Sequence, residues 1–299
     1  MNALASASTC PQCGCPAELR FRSPDRNRRA TPHSFDYHRC TACDLIFLAD
    51  DVEDLAAHYP SDYHAVPSPA ETRRLAERER WRLEFVLPWA ASGRLVEIGP
   101  GWGLFALLAR DAGFQVTGIE MDEDCCAYLR DVVGVDAVHS DEPERVLAKG
   151  PPARVVAMWH VIEHVRGPFE LVRAAGDCLE PGGILVVATP NPDALGFRVL
   201  RSRWPHVDAP RHQYLIPAGL LTDVAAAHGL ERVRLDSDDP GTRGWNTFGW
   251  THALRPGRVG RDPGRAPALA GAVLARLVRP LESGPGRGAA YTAVFRKPA

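Results

Sequence analysis

From residue 94 onward, short apolar runs alternate with amphipathic ones. "RLVEI" (94–98) reads as a strand and "GLFALLARDAG" (103–113) as a helix stopped at Gly113. "FQVTGIE" (114–120) is the next predicted strand, followed by a helix over "DEDCCAYLRDVV" (122–133) and a short strand over "VDAVHS" (135–140). "ARVVAMWH" (153–160) is continuously apolar, the mark of a strand buried on both faces. "FELVRAAGDCLEPGG" (169–183) reads as a helix closed by Pro-Gly-Gly, and "ILVVATP" (184–190) as a fifth strand. Strands that alternate with helices are joined by right-handed crossovers. The pattern therefore predicts an α/β fold with a parallel sheet covered on both faces.

The rhythm breaks on either side. Residues 191–216, "NPDALGFRVLRSRWPHVDAPRHQYLI", are irregular and rich in His, Trp, Arg and Pro. A helix (217–230) and a strand, "ERVRLD" (231–236), follow. "PGTRGWNTFGWTHAL" (240–254) is expected to be a loop, "APALAGAVLARLV" (266–278) a buried helix, and "AAYTAVFRK" (289–297) a last strand. Upstream, Ser68, Pro69 and Glu71 form a capping box with proline in the first turn, and the helix is predicted to run on to about residue 90. This divides the chain into a cysteine module (1–50), a linker and helix (51–92), and an α/β domain (93–299) with insertions near 191–216 and 238–285.

Composition changes this picture little. The 299 residues are 45% hydrophobic and 24% charged, with a formal net charge of −2, so nothing global points to nucleic acid or an anionic membrane. No secretory leader is visible in "MNALASAST", and the longest apolar run is too short to span a bilayer. The cytoplasm is the expected compartment, where the eight cysteines stay reduced.

The candidate chemistry starts at "LVEIGPGWG" (95–103). Gly99, Gly101 and Gly103 between a strand and a helix let backbone approach a ligand closely. Glu120 ends the next strand, about 20 residues on, where a carboxylate accepts from both hydroxyls of a ribose. The glycine spacing is G-x-G-x-G, not that of dinucleotide binders, and Glu97 sits just before the loop. A carboxylate there repels a pyrophosphate and suits a ligand with a cationic end. An NAD oxidoreductase is thereby disfavoured.

"VEIGPGWG", "VTGIEMD", "MWHVIEHV" and "PGGILVVATPN", in this order, resemble a class I S-adenosylmethionine-dependent methyltransferase over roughly residues 90–235. The resemblance implies a Rossmann-like, seven-stranded, mostly parallel sheet with an antiparallel last strand. It implies that Glu97, Gly99, Gly101 and Gly103 line the methionine end of S-adenosylmethionine. Glu120 would hold the ribose, Met121 the adenine ring and Asp141 its amino group. His160, at the carboxyl end of a strand, is a candidate base or acceptor-positioning group, against a reading as a backbone-bonded histidine. His164 resembles a structural or cofactor-pocket residue of the family. The segment after the fifth strand resembles a substrate-side loop. It makes His212 a second candidate base and Trp204, His206, Asp208, Arg211 and Tyr214 candidates for the acceptor pocket, against ordinary loop packing. Trp245, Phe248 and Trp250 form either a pocket wall or a satellite core cluster.

Cys10-x-x-Cys13 and Cys40-x-x-Cys43 are knuckle-like pairs that together complete a tetrahedral zinc site. Four thiolates leave no open position, so Zn2+ there is structural and the module a small zinc ribbon. Cys15 is a spare, and Cys125, Cys126 and Cys178 fall on predicted helices. The layout, "YPSDYH" (59–64) included, resembles methyltransferases of sugars and natural products, in which the zinc module caps the acceptor pocket. The expected partner is a small-molecule acceptor. The alternative is RNA, gripped by the basic run "RFRSPDRNRR" (20–29) as in zinc-finger ribosomal RNA methyltransferases. The methylated atom and the oligomeric state are not legible.

Overall fold

The computed structural model describes residues 8–52, 55, 58, 66–253 and 265–299. The strands, in chain order, are β1 (Ser8–Thr9), β2 (Pro16–Pro24), β3 (Ser34–Cys40), β4 (Ile46–Leu48), β5 (Gly93–Ile98), β6 (Phe114–Glu120), β7 (Asp136–His139), β8 (Ala153–Trp159), β9 (Leu179–Pro190), β10 (Tyr214–Leu215), β11 (Glu231–Asp236) and β12 (Ala290–Arg296). The α-helices are α1 (Pro69–Arg78), α2 (Leu104–Asp111), α3 (Glu123–Tyr128), α4 (Pro143–Lys149), α5 (Pro168–Cys178), α6 (Leu195–Leu200), α7 (Ala218–Ala227), α8 (Pro240–Ala253) and α9 (Arg265–Glu282). Among the described residues, no helix is long and apolar enough to cross a membrane.

The chain forms two compact units, and neither is continuous in sequence. One comprises Met1–Tyr63, Pro190–Leu221 and Pro240–Tyr291; the other comprises His64–Thr189, Thr222–Asp239 and Thr292–Ala299. The segments expected as insertions thus fall largely with the cysteine module.

The second unit holds a seven-stranded sheet in the order β11-β12-β9-β8-β5-β6-β7. Pairings β5–β6, β6–β7, β5–β8 and β8–β9 are parallel, and β12 runs antiparallel to β11. This is the Rossmann-like α/β fold expected. The chain winds outward from β5 to β7 and returns to β8, so the strand order reverses between β5 and β8. Such a switch point opens a crevice at the carboxyl ends of the strands, where ligands bind in sheets of this kind. β5 and β8 are central; β8 reads almost wholly apolar, with every residue but Arg154 buried, and its Val155, Ala157 and Trp159 share one core cluster with Leu95 of β5, Phe105 and Leu108 of α2, and Phe85 and Val86.

Three helices, α1, α4 and α8, differ from expectation. The capping box at Ser68 is present, with its hydroxyl accepting from Glu71 N–H and Glu71 accepting from Ser68 N–H, but α1 ends at Arg78 and a 3₁₀ turn covers Arg80–Phe85. None of residues 77–80 is buried, so no packing sustains the α-helix there. Residues 143–149, for which the sequence pattern predicts no element, form α4, with Pro143 in its first turn.

The first unit carries the sheet β1-β2-β3-β4-β10, every pairing antiparallel. β2 and β3 form the hairpin between the cysteine pairs. The stretch expected as a loop at 240–254 is helix α8. Its buried residues Thr242, Asn246, Gly249 and Trp250 recur at helical spacing. Gly249 faces His206, and a Cβ there would sit 3.4 Å from its Nε2, at the edge of ordinary van der Waals contact. The Pro/Gly/Arg stretch at 254–264 and "YPSDYH" lie outside the described residues.

Candidate active site

In the second unit the loop after β5 turns through three glycines with positive φ: Gly99 (+63°), Gly101 (+52°) and Gly103 (+74°). Their reasons for being glycine differ. A Cβ on Gly99 would sit 2.6 Å from Val161 Cγ2, and one on Gly103 would sit 2.6 Å from Leu129 Cδ2 and 3.0 Å from Val133 Cγ2. A Cβ on Gly101 would meet nothing within 4 Å. Gly99 and Gly103 thus let the loop pack tightly, whereas Gly101 borders open space at the switch point.

Glu120 fastens this loop. Its Oε2 accepts from Gly101 N–H at 2.9 Å, and its Oε1 accepts from Met121 N–H at 2.8 Å and Asp122 N–H at 3.1 Å. The carboxylate is 8% exposed and held in one orientation by three backbone donors. An ionised carboxylate offers about four acceptor sites, so capacity remains for a ligand hydroxyl. Met121 beside it is 64% exposed, an apolar side chain left at the lip of the crevice. Asp141 is exposed on the turn after β7.

Glu97 is 2% exposed, and its Oε2 has no hydrogen-bond partner among the described residues. Burial pushes its carboxyl up to about 8; the Arg82 charge opposes this and the Glu120 charge adds to it. Alone, Glu97 therefore carries a proton near neutrality. A cationic group beside it would draw it back toward the carboxylate. A buried acid with an unmatched oxygen, two residues before a loop that borders open space, fits the ammonium-bearing end of S-adenosylmethionine.

His160 follows β8. Its φ is +57°, uncommon for a residue with a Cβ, and its backbone N–H donates to Ala188 O at 2.9 Å. Its Nδ1 lies 3.6 Å from Oε1 of Glu163, a fully buried acid that also accepts from the Thr189 hydroxyl at 3.0 Å. Strain of this kind persists where surrounding structure over-determines the backbone, and such residues cluster at active sites. Glu163 is not among the residues the sequence singles out. Its signal was an acid inside the apolar run "HVIEHV".

The other candidates belong to the first unit. Trp204 is 2% exposed and packs with Phe197 and His206. The ring of His206 bonds to Trp245 O at 2.9 Å. The ring of His212 bonds to His206 O at 2.9 Å, while its own carbonyl accepts from the Tyr37 hydroxyl at 2.7 Å. Arg211 has no exposed surface; it donates to Asp25 and Asp208 at 2.8 Å each and to His58 O at 3.0 Å. Burial alone would raise the Asp25 carboxyl, but Arg211 and two backbone donors hold it below its usual range. Tyr214 is half-buried in β10. Trp245 packs against the small core of this unit, and Trp250 donates to Glu282 at 2.8 Å.

The four cysteines converge as the spacing predicts. Sγ of Cys10 lies 3.7 Å from that of Cys43, and Sγ of Cys13 lies 3.4 Å from Cys40 and 3.7 Å from Cys43. All four lie within 4.8 Å of one another. Zn–S bonds of about 2.3 Å in a tetrahedron put sulfurs about 3.8 Å apart, so the set fits structural zinc. Ala42 and Cys43 point their N–H groups at Cys40 Sγ (3.4 and 3.5 Å). The Cys13 thiol is lowered to about 7, chiefly by a backbone donor at Cys15.

A family model described as a methyltransferase domain matches residues 70–235, more than half of the chain. The ubiquinone biosynthesis O-methyltransferase of Caulobacter sp. (strain K31) is 34% identical over 110 residues, 33% of this chain and 41% of that protein. The protein of the same name from Caulobacter vibrioides is 38% identical over 102 residues, 32% of this chain and 40% of that one. The chain thus spans about two-fifths of the length of these curated relatives. Among solved structures, a SAM-dependent methyltransferase from Archaeoglobus fulgidus superposes with a TM-score of 0.51 at 18% identity, over 74% of this chain and 94% of that one. At that identity the likeness is one of fold.

Proposed function

The chain belongs to the methyltransferase-domain family, the class I S-adenosylmethionine-dependent enzymes, and from that premise we propose that it transfers a methyl group from S-adenosylmethionine to a small-molecule acceptor. One observation carries the reading: Gly101 borders open space while its N–H is fastened to the carboxylate of Glu120 at the end of the next strand. Bound S-adenosylmethionine supplies a methyl carbon already activated by a sulfonium. Glu120, pre-oriented by its backbone donors, accepts from the ribose hydroxyls. Met121 covers the adenine and Asp141 is the candidate partner of its amino group. Gly101 and Glu97 line the methionine end, with Gly99 and Gly103 packed behind them to hold the loop in that shape.

What remains is to align a nucleophile in line with the methyl group and exclude water. His160, at the carboxyl end of β8, is the proposed base or acceptor-positioning group, with Glu163 orienting its ring through Nδ1. His212 is the second candidate base, and Trp204, His206, Arg211 and Tyr214, which belong to the first unit, are the candidates for the acceptor pocket. Their internal bonds suit a scaffold role for Arg211 and His206 better than direct contact with acceptor. A small acceptor, in the class of sugars and secondary metabolites, is supported by a net charge of −2 and by relatives named for an O-methylation in ubiquinone biosynthesis. The cytoplasm is the proposed compartment, because reduced thiols are what the zinc site needs.

Calorimetry with S-adenosylmethionine and with NAD tests the cofactor. Incubation with methyl-labelled S-adenosylmethionine and either a small-metabolite extract or total RNA tests the acceptor. Uptake of S-adenosylmethionine and label in the metabolite fraction are expected. Uptake of NAD alone would overturn the first assignment, and label confined to RNA the second.

A further inference from the structure

A cavity of about 340 Å³ lies wholly within the first unit. Its apolar wall includes Phe21, Ile46 and Phe197, and four arginines surround it: Arg20, Arg39, Arg198 and Arg201. Two acids also line it. Asp44 pairs with Arg39 at 2.9 Å and Asp193 with Arg198 at 3.8 Å. Among the described residues, no carboxylate lies in ion-pair range of Arg20 or Arg201, so the lining carries about two uncompensated positive charges.

The backbone has been bent to put those two arginines there. In a regular strand Arg20 and Phe21 would point to opposite faces of the sheet. Both line the cavity, because the register of β2 against β3 slips between Leu19 and Phe21 and leaves Arg20 as the extra residue. A bulge of this kind re-aims a side chain. Arg201 has φ +51° and ψ −126°, a conformation that favours glycine. Two separate departures from regular backbone, 181 positions apart, each deliver a guanidinium to one cavity with an aromatic wall.

We infer that this cavity binds a phosphorylated small molecule: a phosphate monoester or diphosphate on Arg20 and Arg201, with an apolar or planar portion against Phe21 and Phe197. Guanidinium forks match phosphoryl oxygens bidentately, and a doubly charged phosphoryl group matches the surplus. The volume suits a ligand of metabolite size and is at the small end of ligand pockets, about 300–1,000 Å³. The inference does not depend on the methyl-transfer reading, since none of the proposed donor-binding residues lines this cavity.

The test is calorimetry of the full-length, zinc-loaded protein with phenyl phosphate, pyrophosphate and phenyl sulfonate, alongside S-adenosylmethionine. Phenyl phosphate should bind with one site, and the singly charged sulfonate at least about tenfold more weakly. Arg20→Gln and Arg201→Gln should each lower phenyl phosphate affinity at least about tenfold and leave S-adenosylmethionine affinity within twofold. Arg201→Gly keeps the chain fold by supplying the residue that conformation favours, so its thermal midpoint should hold or rise while phosphate affinity falls. Unchanged phosphate affinity in both Gln variants, or equal binding of sulfonate and phosphate, would overturn the assignment. So would retention of a 20-nucleotide RNA, lost in Arg201→Gln, with no binding of phenyl phosphate; that outcome would give the arginines to nucleic acid.

Discussion

Gly101 and Gly103 offer a paired experiment, because they share a backbone requirement and differ in what surrounds them. Both have positive φ, so alanine at either position incurs about 1–2 kcal/mol of left-handed strain. At Gly101 the cost ends there, since the new methyl group meets nothing within 4 Å. At Gly103 the methyl group would press on Leu129 and Val133, which are 0% and 1% exposed and have no room to yield. Overpacking of that kind adds about 1–3 kcal/mol. Gly103→Ala should therefore lose about 2–5 kcal/mol in urea unfolding, and Gly101→Ala about 1–2 kcal/mol. Binding should rank the other way. The methyl group at 101 enters the space assigned to the methionyl chain and should weaken S-adenosylmethionine by at least about tenfold, about 1.4 kcal/mol, with Gly101→Val abolishing binding. Gly103→Ala, measured where it is folded, should stay within a few-fold of wild type. If Gly101→Ala bound S-adenosylmethionine like wild type, or if the two variants lost equal stability, the division of the loop into one ligand-facing and two packing glycines would be wrong.

Burial keeps Glu97 protonated up to about pH 8, whereas an unfolded chain ionises it near 4.5, so the native state binds the extra proton between those values and stability falls as pH rises through that window. Glu97→Gln should remove a slope of up to about 1.4 kcal/mol per pH unit in urea unfolding between pH 5 and 8; an unchanged slope would assign the titration to another group. His160→Ala should slow turnover on the order of 100-fold while S-adenosylmethionine affinity stays within a few-fold, and full activity would remove His160 from the chemistry. Cys40→Ser should lower zinc content and the thermal stability of the cysteine module, read by metal release with a chromogenic chelator; equal zinc in the variant would refute the four-thiolate site.

What the sequence made legible was local. Each parallel strand is a run of apolar residues between turn signals, and β5, β6, β8 and β11 fall within a residue or two of their predicted bounds. The cysteine pairs were legible because each knuckle lies within four residues. The helix at 240–253 was not, because Pro240, Gly241, Gly244 and Gly249 are loop signals by composition. What outweighs them is partners from distant sequence. Thr242 donates to Ala290 O at 3.3 Å, and Asn246 Oδ1 accepts from Ala289 N–H at 2.7 Å. The three glycines of the β5 loop were also indistinguishable in sequence. What separates them is Val161 and Leu129, brought against the loop by later elements.

The first fifty residues read as a module for a similar reason. Their cysteines close a site among themselves, but their apolar residues do not close a core. Phe35, Tyr37 and Ile46 bury against Ala194, Phe197, Trp204, Val207, Ala209 and Leu215. β4 finds its outer partner in β10, and the buried Asp25 finds its cation in Arg211, 186 positions away. A segment of this length buries little of its own apolar surface, so it leans on metal or on further chain for stability. The returning segment supplies the missing face, the missing strand and the missing charge together. Arg211 and His212 therefore have two claims on them, one as candidates beside an acceptor and one as ties within this unit. Arg211→Met distinguishes the claims. Removing the cation leaves the buried Asp25 without its partner beside a part-buried Asp208, and breaking a buried pair costs about 3–5 kcal/mol. Loss of stability with zinc release would mark the tie, whereas a stable variant with a raised KM for acceptor would mark the pocket.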